Sequence, residues 1–422
     1  MKILVFGAGV LGCNLANNLF RAGKDVTLLA RGTWAEEIRS NGLRIKNTLS
    51  RRTAVSRIPV AAVLSPEDAY DVIFVAVRYT QIETIIETLR ASRAKTIIFV
   101  GNNVRASETA ALLPEKNVLF AFTSAAGHRE SNYVDSVDLR KITVGPLRDA
   151  PSQERLIQEI FAGMKYKVTY EPNMGDYLLC HAAFVLPAVF ACYKTDGNLK
   201  KLKKDNAYLN RLIDANIEGY RAIRNAGHEI LPDADKEFEG AAYRKTCFRF
   251  FKLMCATVLG KICASDHAMN AVDEMRALNR DIKTFFDAVD AEYPVWQALQ
   301  TFHGYVERRA WRLKKVFVGL LHIPGLYRKI PGIFAEQTPK LFGTAAGFAA
   351  TDIQTTGGVW RIDMTKCPYH DACVQYGCPE LCRCFCDSDD ITYDGMHPKL
   401  VWHRTKTLGR GGDCCDFCLK IG

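Results

Sequence analysis

The chain has 422 residues, of which 48% are hydrophobic and 24% are charged. At about 100–200 residues per domain, this length predicts two or three domains, and the composition excludes a disordered or low-complexity protein. The formal net charge of +10 is spread over many segments. This excludes a single basic surface with interleaved aromatic residues, which is the kind of surface that binds nucleic acid. We therefore expect a folded protein with a small-molecule substrate and no nucleic-acid partner.

The amino terminus predicts a cytoplasmic protein, because Met1 runs directly into the strand pattern KILVF without a charged leader. The most apolar stretch, residues 177–193, is shorter than the roughly 20 residues that cross a bilayer and contains His181 and Pro187. We expect a buried helix there and no membrane span. A homodimer is retained beside a monomer as an alternative.

The first eleven residues after Met1 predict a dinucleotide-binding turn. KILVF is a strand pattern, and it is followed by a glycine-rich turn and an amphipathic helix pattern. Gly7 allows the tight turn, Gly9 lets a pyrophosphate approach the backbone, and Gly12 lets the helix pack closely on the strand. The amino terminus of the helix offers N–H groups to the phosphates.

The end of the second strand pattern, DVTLLA, indicates which dinucleotide is bound. An NAD site usually has Asp or Glu here to hold the ribose hydroxyl, whereas this chain has Arg31. A guanidinium pairs well with a phosphate, so we predict NADP(H) as the cofactor. The alternative is that Arg31 is a solvated arginine at a strand end. YDVIFVAV and AKTIIFVG predict further buried parallel strands.

The segments GAGVLG, ARG, VRYTQIETI and VGNNVRASE resemble the ketopantoate reductases (2-dehydropantoate 2-reductases). The resemblance covers roughly the first 305 residues and implies an α/β Rossmann domain over 1–165, followed by an all-α domain over 166–305. It also implies cofactor contacts from Arg78, Gln81 and Asn102.

The chain departs from this family at the positions that the family uses for chemistry. Leu178 stands where the family has the lysine that acts as general acid, and Ala182 stands where it has a substrate-binding asparagine. The family's serine falls close to Met269, and Asp281 lies near the family's carboxylate. The family therefore implies a catalytic role for Asp281 alone among these positions.

His181 is the residue that could replace the missing lysine, because it lies one helical turn from Leu178 and imidazole titrates near neutrality. His267 is a second candidate. The alternative is that His181 is a satisfied core histidine, which is the commoner role of a lone histidine in an apolar helix.

The last part of the chain predicts a small α+β cysteine-rich domain over 306–422. Its first segment, residues 306–335, is basic, apolar and interrupted by prolines, which favours a linker or docking element. TPKLFGTAAGFAA predicts a helix, and GVWRIDM, KLVWHRTKT and CCDFCLKI predict strands of an antiparallel sheet.

Nine of the 15 cysteines lie between Cys367 and Cys418, in a chain whose thiols we expect to be reduced. Cys367-Pro368, YGCPEL, Cys386 with Asp389, HRTKTL and GGDCCDF together resemble the L-2-amino-thiazoline-4-carboxylic acid hydrolase family. The resemblance implies opening of a 2-amino-thiazoline ring by water.

That reaction needs a nucleophile, a proton shuttle and an anchor for the substrate carboxylate. Cys386, Asp389 and Cys415 are candidates for a thiolate nucleophile or for the ligands of a metal that activates water. Asp389 or Asp416 could move the proton, and Arg404 could bind the carboxylate.

A structural metal site and surplus reduced thiols are the two alternatives for the cysteines. The thiols available for a tetrahedral site are those of Cys382, Cys384, Cys386, Cys415 and Cys418. Cys415-x-x-Cys418 is a usable pair, whereas Cys382-x-Cys384-x-Cys386 would place alternate residues on one strand face.

The sequence thus predicts an NADPH-dependent oxidoreductase joined to a hydrolase, both acting on a small carboxylate-bearing metabolite. The alternative from another class is that the reductase-like part is a cofactor-binding sensor or scaffold and that only the terminal domain is active.

Overall fold

The computed structural model describes residues 1–195, 197–300, 302–321, 323–354, 358–375 and 382–422. They form two compact units, Met1–Gln300 and Thr301–Gly422. The first unit contains an α/β sheet followed by helices, and the second contains a small sheet with helices, as the predicted fold class requires.

The first unit is built on a ten-stranded sheet in the order β4-β3-β9-β8-β7-β6-β1-β2-β5, with β10 added beside β9. Strands β5, β2, β1, β6, β7 and β8 pair in parallel, and β8 and β9 are antiparallel. The strands are β1 (Lys2–Phe6), β2 (Asp25–Leu29), β3 (Leu43–Asn47), β4 (Thr53–Ser56), β5 (Val60–Ala61), β6 (Val72–Val75), β7 (Thr96–Val100), β8 (Asn117–Arg129), β9 (Val134–Gly145) and β10 (Lys167–Tyr170).

The helices of this unit cover the sheet and then form a helical region. They are α1 (Val10–Arg21), α2 (Gly32–Asn41), α3 (Ile82–Ala91), α4 (Ala106–Ala111), α5 (Glu154–Phe161), α6 (Met174–Lys194), α7 (Asn206–Asn225), α8 (Ala241–Ala256), α9 (Val258–Gly260), α10 (Asp266–Asn270), α11 (Val272–Ala288) and α12 (Pro294–Leu299).

Continuous apolar sequence explains the centre of the sheet. Every residue of β6 and β7 is buried, because the apolar faces of helices cover both sides of these strands. The prediction of buried parallel strands at YDVIFVAV and AKTIIFVG is therefore confirmed.

The boundary that the sequence predicts near residue 165 lies inside the region of the sheet. β10 pairs with β9 in parallel from Lys167 to Tyr170, so the sheet ends after that boundary. The division of the first unit into two domains stays a prediction.

Helix α6 contains the apolar stretch noted in the sequence. In the described part of the chain, it is the one helix long and apolar enough to cross a membrane by length and composition, and 67% of its most apolar window is buried. Core helices pass the same test, and α6 packs with α7 and α11 in the helical core, for example through Leu186 and Phe190. The helix therefore gives no indication of a membrane span.

The second unit is a four-stranded antiparallel sheet in the order β11-β12-β14-β13, with four helices. The strands are β11 (Ala349–Gln354), β12 (Val359–Lys366), β13 (Leu400–His403) and β14 (Cys415–Ile421), and the helices are α13 (Phe302–Leu321), α14 (Ile330–Leu341), α15 (Pro368–Gln375) and α16 (Cys382–Tyr393).

Two local predictions in this unit are wrong. The segment 306–335 is not a linker, because it forms most of α13 and the start of α14, and Leu321 and Ile330 pack in the same core as Trp360. The helix predicted over TPKLFGTAAGFAA ends at Leu341, and β11 begins within the same segment, because a turn containing Gly347 at φ +85° separates them.

Candidate functional sites

The glycine turn between β1 and α1 has the geometry of an anion site. Gly7 has φ +113°, and a Cβ on Gly7 would lie 2.6 Å from the Ala76 carbonyl oxygen. A Cβ on Gly12 would lie 1.9 Å from the Gly7 carbonyl oxygen, whereas one on Gly9 would meet nothing within 4 Å. Gly7 and Gly12 therefore allow close packing, and Gly9 leaves open space at the amino terminus of α1, where N–H groups attract phosphate.

Arg31 follows β2 at the same edge of the sheet. Phe6 at the end of β1 pairs with Leu29 at the end of β2, so the glycine turn and Arg31 both follow the carboxyl ends of adjacent strands. Arg31 is exposed and precedes the first residue of α2, Gly32. This is the edge at which open α/β sheets bind ligands.

Arg78 and Gln81 lie beyond β6, the next strand along the same edge. The guanidinium of Arg78 donates to the Asn270 carbonyl oxygen at 3.2 Å. The side-chain oxygen of Gln81 accepts from the backbone N–H of Arg78 at 3.2 Å. Both predicted contact residues thus shape the loop between β6 and α3.

Asn102 has an unsatisfied polar atom at this edge. It follows β7 and Gly101, and its side-chain oxygen is buried without a hydrogen-bond partner in the described part of the chain. An unpaired buried acceptor costs about 1–3 kcal/mol, so a ligand that donates a hydrogen bond here would be stabilised. The glycine turn, Arg31 and Asn102 together fit a nicotinamide dinucleotide.

The positions of the missing reductase residues are apolar and closed. Leu178 and Ala182 are each 1% exposed, and neither offers a proton. Met269 fills the space beside Gly197, where a Cβ would lie 3.3 Å from the methionine Cγ.

Asp281 is engaged by Tyr79, a residue that the sequence analysis missed. The Tyr79 hydroxyl donates to Asp281 at 2.7 Å, and Arg280 donates at 2.9 Å. Burial, followed by the hydrogen bond to Asp281, raises the pKa of Tyr79. Tyr79 lies inside the VRYTQ segment, but its role depends on its contact with Asp281 on α11. Because the two residues are far apart in the chain, the sequence pattern could not identify the pair.

His181 lies beside the carboxyl edge of the sheet. The ring centroid of His181 is 3.9 Å from that of Phe122 on β8. Ala121, which precedes Phe122 in the chain, accepts a hydrogen bond at its carbonyl oxygen from the backbone N–H of Gly101. Burial and then the nearby His267 lower the pKa of His181 to about 4. Burial also lowers the pKa of His267, against the opposing effect of Glu274. His181 is therefore a neutral imidazole at pH 7 and not a ready source of a proton.

In the second unit, the CRCFC segment is helical, which corrects the strand-face interpretation of its cysteines. It forms the first turns of α16, so Cys382 and Cys386 lie one turn apart on the same helix face. Cys382 and Cys386 are buried together with Cys373. The Cys384 side chain and the YGCPEL segment lie outside the described residues.

Cys386 is surrounded by donors. Hydrogen bonds from Cys382 and Cys415 and the positive charge of Arg404 lower its pKa far below the ordinary value, although burial opposes this. The same hydrogen bonds raise the pKa of Cys382 and of Cys415. The directions of these shifts favour Cys386 as the first of the three thiols to ionise.

Gly409 makes room for the thiols. A Cβ on Gly409 would lie 2.9 Å from the sulfur of Cys382 and 3.0 Å from that of Cys386. The sequence analysis passed over this glycine, because only the fold brings it against α16.

Arg404 is buried at this site, with its side chain 1% exposed. It donates to Asp390 at 2.6 Å, to Asp389 at 3.5 Å and to the Cys386 carbonyl oxygen through its terminal nitrogens, whereas its Nε has no hydrogen-bond partner among the described residues. Its guanidinium also lies 5.2 Å from the Phe417 ring centroid. The terminal nitrogens position the two carboxylates, and the anchoring of a substrate carboxylate by Arg404 stays a prediction.

Asp389 has the proton affinity of a general acid. Burial raises its pKa to about 7, while Arg404 opposes the shift and the Cys386 thiolate adds to it. The carboxyl group therefore exchanges its proton near neutral pH.

Asp416 and Cys418 lie away from this cluster. Along β14, Cys415 and Phe417 are buried, whereas Asp416 and Cys418 alternate to the opposite face. Burial opposes ionisation of Asp416, but hydrogen bonds from Thr405 and Lys406 lower its pKa. Asp416 thus holds the loop after β13, and Cys415 and Cys418 are not a ligand pair.

The cysteines that the structure describes form no disulfide with one another. No group of three or more His, Cys, Asp or Glu side chains suited to a metal ion occurs among the described residues. The thiolate and the metal alternatives both stay predictions, because the Cys384 side chain lies outside the described residues.

Two known families match different parts of the chain. Residues 3–149 match the family described as ketopantoate reductase PanE/ApbA. Residues 273–419 match the family described as L-2-amino-thiazoline-4-carboxylic acid hydrolase, a match that begins in α11 of the first unit. The chain joins a ketopantoate-reductase-like part to a thiazoline-hydrolase-like part. The two resemblances in the sequence are therefore confirmed.

Solved structures share the fold of the first unit. A PanE/ApbA family ketopantoate reductase from Ralstonia eutropha JMP134 is 20% identical, with a TM-score of 0.57 over 71% of this chain and 96% of that one. D-mandelate dehydrogenase with NADH and anilino(oxo)acetate is 14% identical, with a TM-score of 0.59 over 71% and 96%. A dimeric ketopantoate reductase from Staphylococcus aureus is 13% identical, with a TM-score of 0.54 over 72% and 97%.

We predict that Cys386 is ionised at neutral pH while Cys382 and Cys415 are not. An ordinary cysteine has a pKa of about 8.5 and is mostly protonated at pH 7. The ultraviolet absorbance of thiolate in the native protein at pH 7 should therefore be lower by one equivalent in Cys386→Ser than in the wild type. Cys418→Ser, on the outer face of β14, is the matched control and should leave the absorbance unchanged. Equal absorbance of the wild type and Cys386→Ser would contradict the assignment.

Proposed function

We propose that the protein is an enzyme with two sites: an NADPH-dependent reductase site in the first unit and a thiolate-dependent hydrolase site in the second. The likeness to ketopantoate reductases and to the thiazoline hydrolase family supports this pairing. A small carboxylate-bearing metabolite is the substrate class that the hydrolase family name suggests.

The observation that carries the reductase proposal is the combination of open space at Gly9 with the unpaired oxygen of Asn102. The turn and the amino terminus of α1 would bind the pyrophosphate, Arg31 would bind the ribose phosphate, and Asn102 would orient the nicotinamide end. NADPH supplies a hydride when bound. His181 would contact the substrate at the same sheet edge.

The observation that carries the hydrolase proposal is the Cys386 thiolate beside Asp389. The thiolate would attack the ring carbon between sulfur and nitrogen, and the electron pair of the C=N bond would move to nitrogen. Protonated Asp389 would give this nitrogen its proton, and the ring C–S bond would then break, with its electron pair leaving on the ring sulfur. Water would add to the carbon still bound to Cys386, and this adduct would expel the Cys386 thiolate as the carbamoyl product forms. Arg404 would hold Asp389 and Asp390 in place.

A second candidate function has its own support. Leu178 and Ala182 leave the first unit without the family's proton donor, and His181 is neutral, which favours a cofactor-binding sensor or scaffold. Binding of NADPH without its oxidation by any substrate class would support this alternative.

A cytoplasmic location and a homodimer remain proposals. The Staphylococcus aureus reductase with the same fold is described as dimeric, which supports testing for a dimer by light scattering.

We predict that Arg31 selects NADPH over NADH. A guanidinium–phosphate pair has charge-assisted hydrogen bonds worth about 1.5–3 kcal/mol, which corresponds to a preference of roughly 10- to 100-fold. In calorimetric titrations, Arg31→Ala should weaken NADPH by this factor and NADH little. Arg39→Ala, at the far end of the same exposed helix, is the control. Equal losses for both cofactors in Arg31→Ala would show that the residue is only a surface arginine.

We also predict that ring opening slows as the pH rises through about 7, because Asp389 must be protonated to donate and its pKa is about 7. Asp389→Asn should remove this dependence and lower kcat by roughly 10²–10⁴-fold, the usual contribution of a general acid. Cys386→Ser should abolish turnover of 2-amino-thiazoline-4-carboxylate, whereas Cys418→Ser should not. A rate that is independent of pH, or an active Cys386→Ser variant, would exclude this mechanism.

A further inference from the structure

We propose that the cavity beside His181 binds a small protonated imine and that the first unit reduces its C=N carbon. The inference rests on the proposed binding of NADPH and names the substrate class of that reductase site. Three features of the first unit carry it: the lining of the cavity, an uncompensated carboxylate, and the absent proton donor.

The cavity has a volume of about 410 Å³, and its lining combines aromatic rings and two carboxylates with aliphatic and small side chains. The lining contains no lysine or arginine, and His181, its one histidine, is neutral at pH 7. Aromatic faces attract cations, and carboxylates repel anions. The side chains that set this character are Tyr177, Phe184, Tyr220, Tyr243, Asp235 and Glu237. An organic cation suits the cavity better than a 2-oxo acid.

Asp235 is the carboxylate that a cation would satisfy. It accepts a hydrogen bond from Tyr220 at 2.9 Å, and no ion pair to it occurs among the residues that the structure describes. Burial raises the pKa of Asp235, and the hydrogen bond from Tyr220 only partly offsets the rise. A bound cation would supply the missing compensation.

The absent general acid has a chemical explanation in this substrate class. Hydride addition to a ketone leaves an alkoxide that needs a proton, and Leu178, at the position of the family's acid, offers none. In the cavity itself, the hydroxyl of Tyr220 already donates to Asp235, and that of Tyr243 donates to Asn216. When hydride adds to the carbon of a protonated imine, a C–H bond forms and the C=N π pair becomes the lone pair of a neutral amine. NADPH is oxidised to NADP⁺, and the enzyme supplies no proton in this step.

The position of the cavity agrees with such a transfer. His181 lines the cavity and also contacts Phe122, which follows Ala121, the strand partner of Val100 at the end of β7. Asn102 begins the loop after β7. His181 thus contacts β8, the neighbour of β7, and the nicotinamide end of the cofactor is proposed to bind in the loop after β7.

The test uses the full chain with NADPH and three probes: 3,4-dihydroisoquinoline, its N-methyl iminium salt and a set of 2-oxo acids. We expect NADPH oxidation with the iminium salt and with the imine near neutral pH, and rates at least roughly tenfold lower with the 2-oxo acids. Asp235→Asn keeps an acceptor for Tyr220 but removes the charge, so KM for the iminium salt should rise about tenfold while the Kd of NADPH stays unchanged. Asp233→Asn, which is exposed and paired with Lys236, is the matched control.

The outcomes separate this inference from the proposed function. Oxidation of NADPH by 2-oxo acids but not by the iminium salt would overturn the inference and leave the reductase intact. Binding of NADPH with no oxidation by either class would overturn the inference and favour the scaffold. Failure to bind NADPH in calorimetry would overturn the proposed function itself. Equal KM values for Asp235→Asn and Asp233→Asn would exclude the cavity as the site.

Discussion

The parallel register of β2, β1, β6 and β7 is the constraint on which the first unit depends. Because parallel strands end at the same edge, the loops after them converge, and this brings the glycine turn, Arg31, Arg78 and Asn102 together. The short turn from β1 to α1 is possible because Gly12 meets the Gly7 carbonyl without a side chain. The cofactor site therefore follows from the packing of the sheet.

The second unit is organised around one buried positive charge. The guanidinium of Arg404 pairs with Asp390 and donates to Asp389, and its positive charge favours the ionised form of Cys386. Burying such charges is costly unless they are paired and hydrogen-bonded, so the arrangement is typical of a reactive site. The two units thus hold opposite electrostatic environments: an aromatic cavity with carboxylates in the first and an anionic thiolate supported by a cation in the second.

The local sequence predicted what depends on local physics. The glycine turn, the buried strands and the antiparallel strands of the second unit follow from turn chemistry and from periodicity, and they were correct. The interpretation of CRCFC as a strand was wrong. Residues four apart, such as Cys382 and Cys386, lie on the same face of a helix as well as of a strand, so the spacing of these cysteines alone could not distinguish the two. Tyr79 and Gly409 were missed because their roles come from partners far away in the chain. The neutrality of His181 is likewise a property of burial, which no spacing reveals.

Both proposed sites act on a carbon doubly bonded to nitrogen. In the first unit, the proposal requires hydride transfer and not merely the binding of a cofactor. The most direct measurement is a single-turnover reaction of the full chain with NADPH deuterated at both C4 positions and the N-methyl iminium salt, followed by mass spectrometry of the amine. The account predicts one deuterium on the former C=N carbon of the product. An amine without deuterium, or bound NADPH that remains unoxidised, would contradict it.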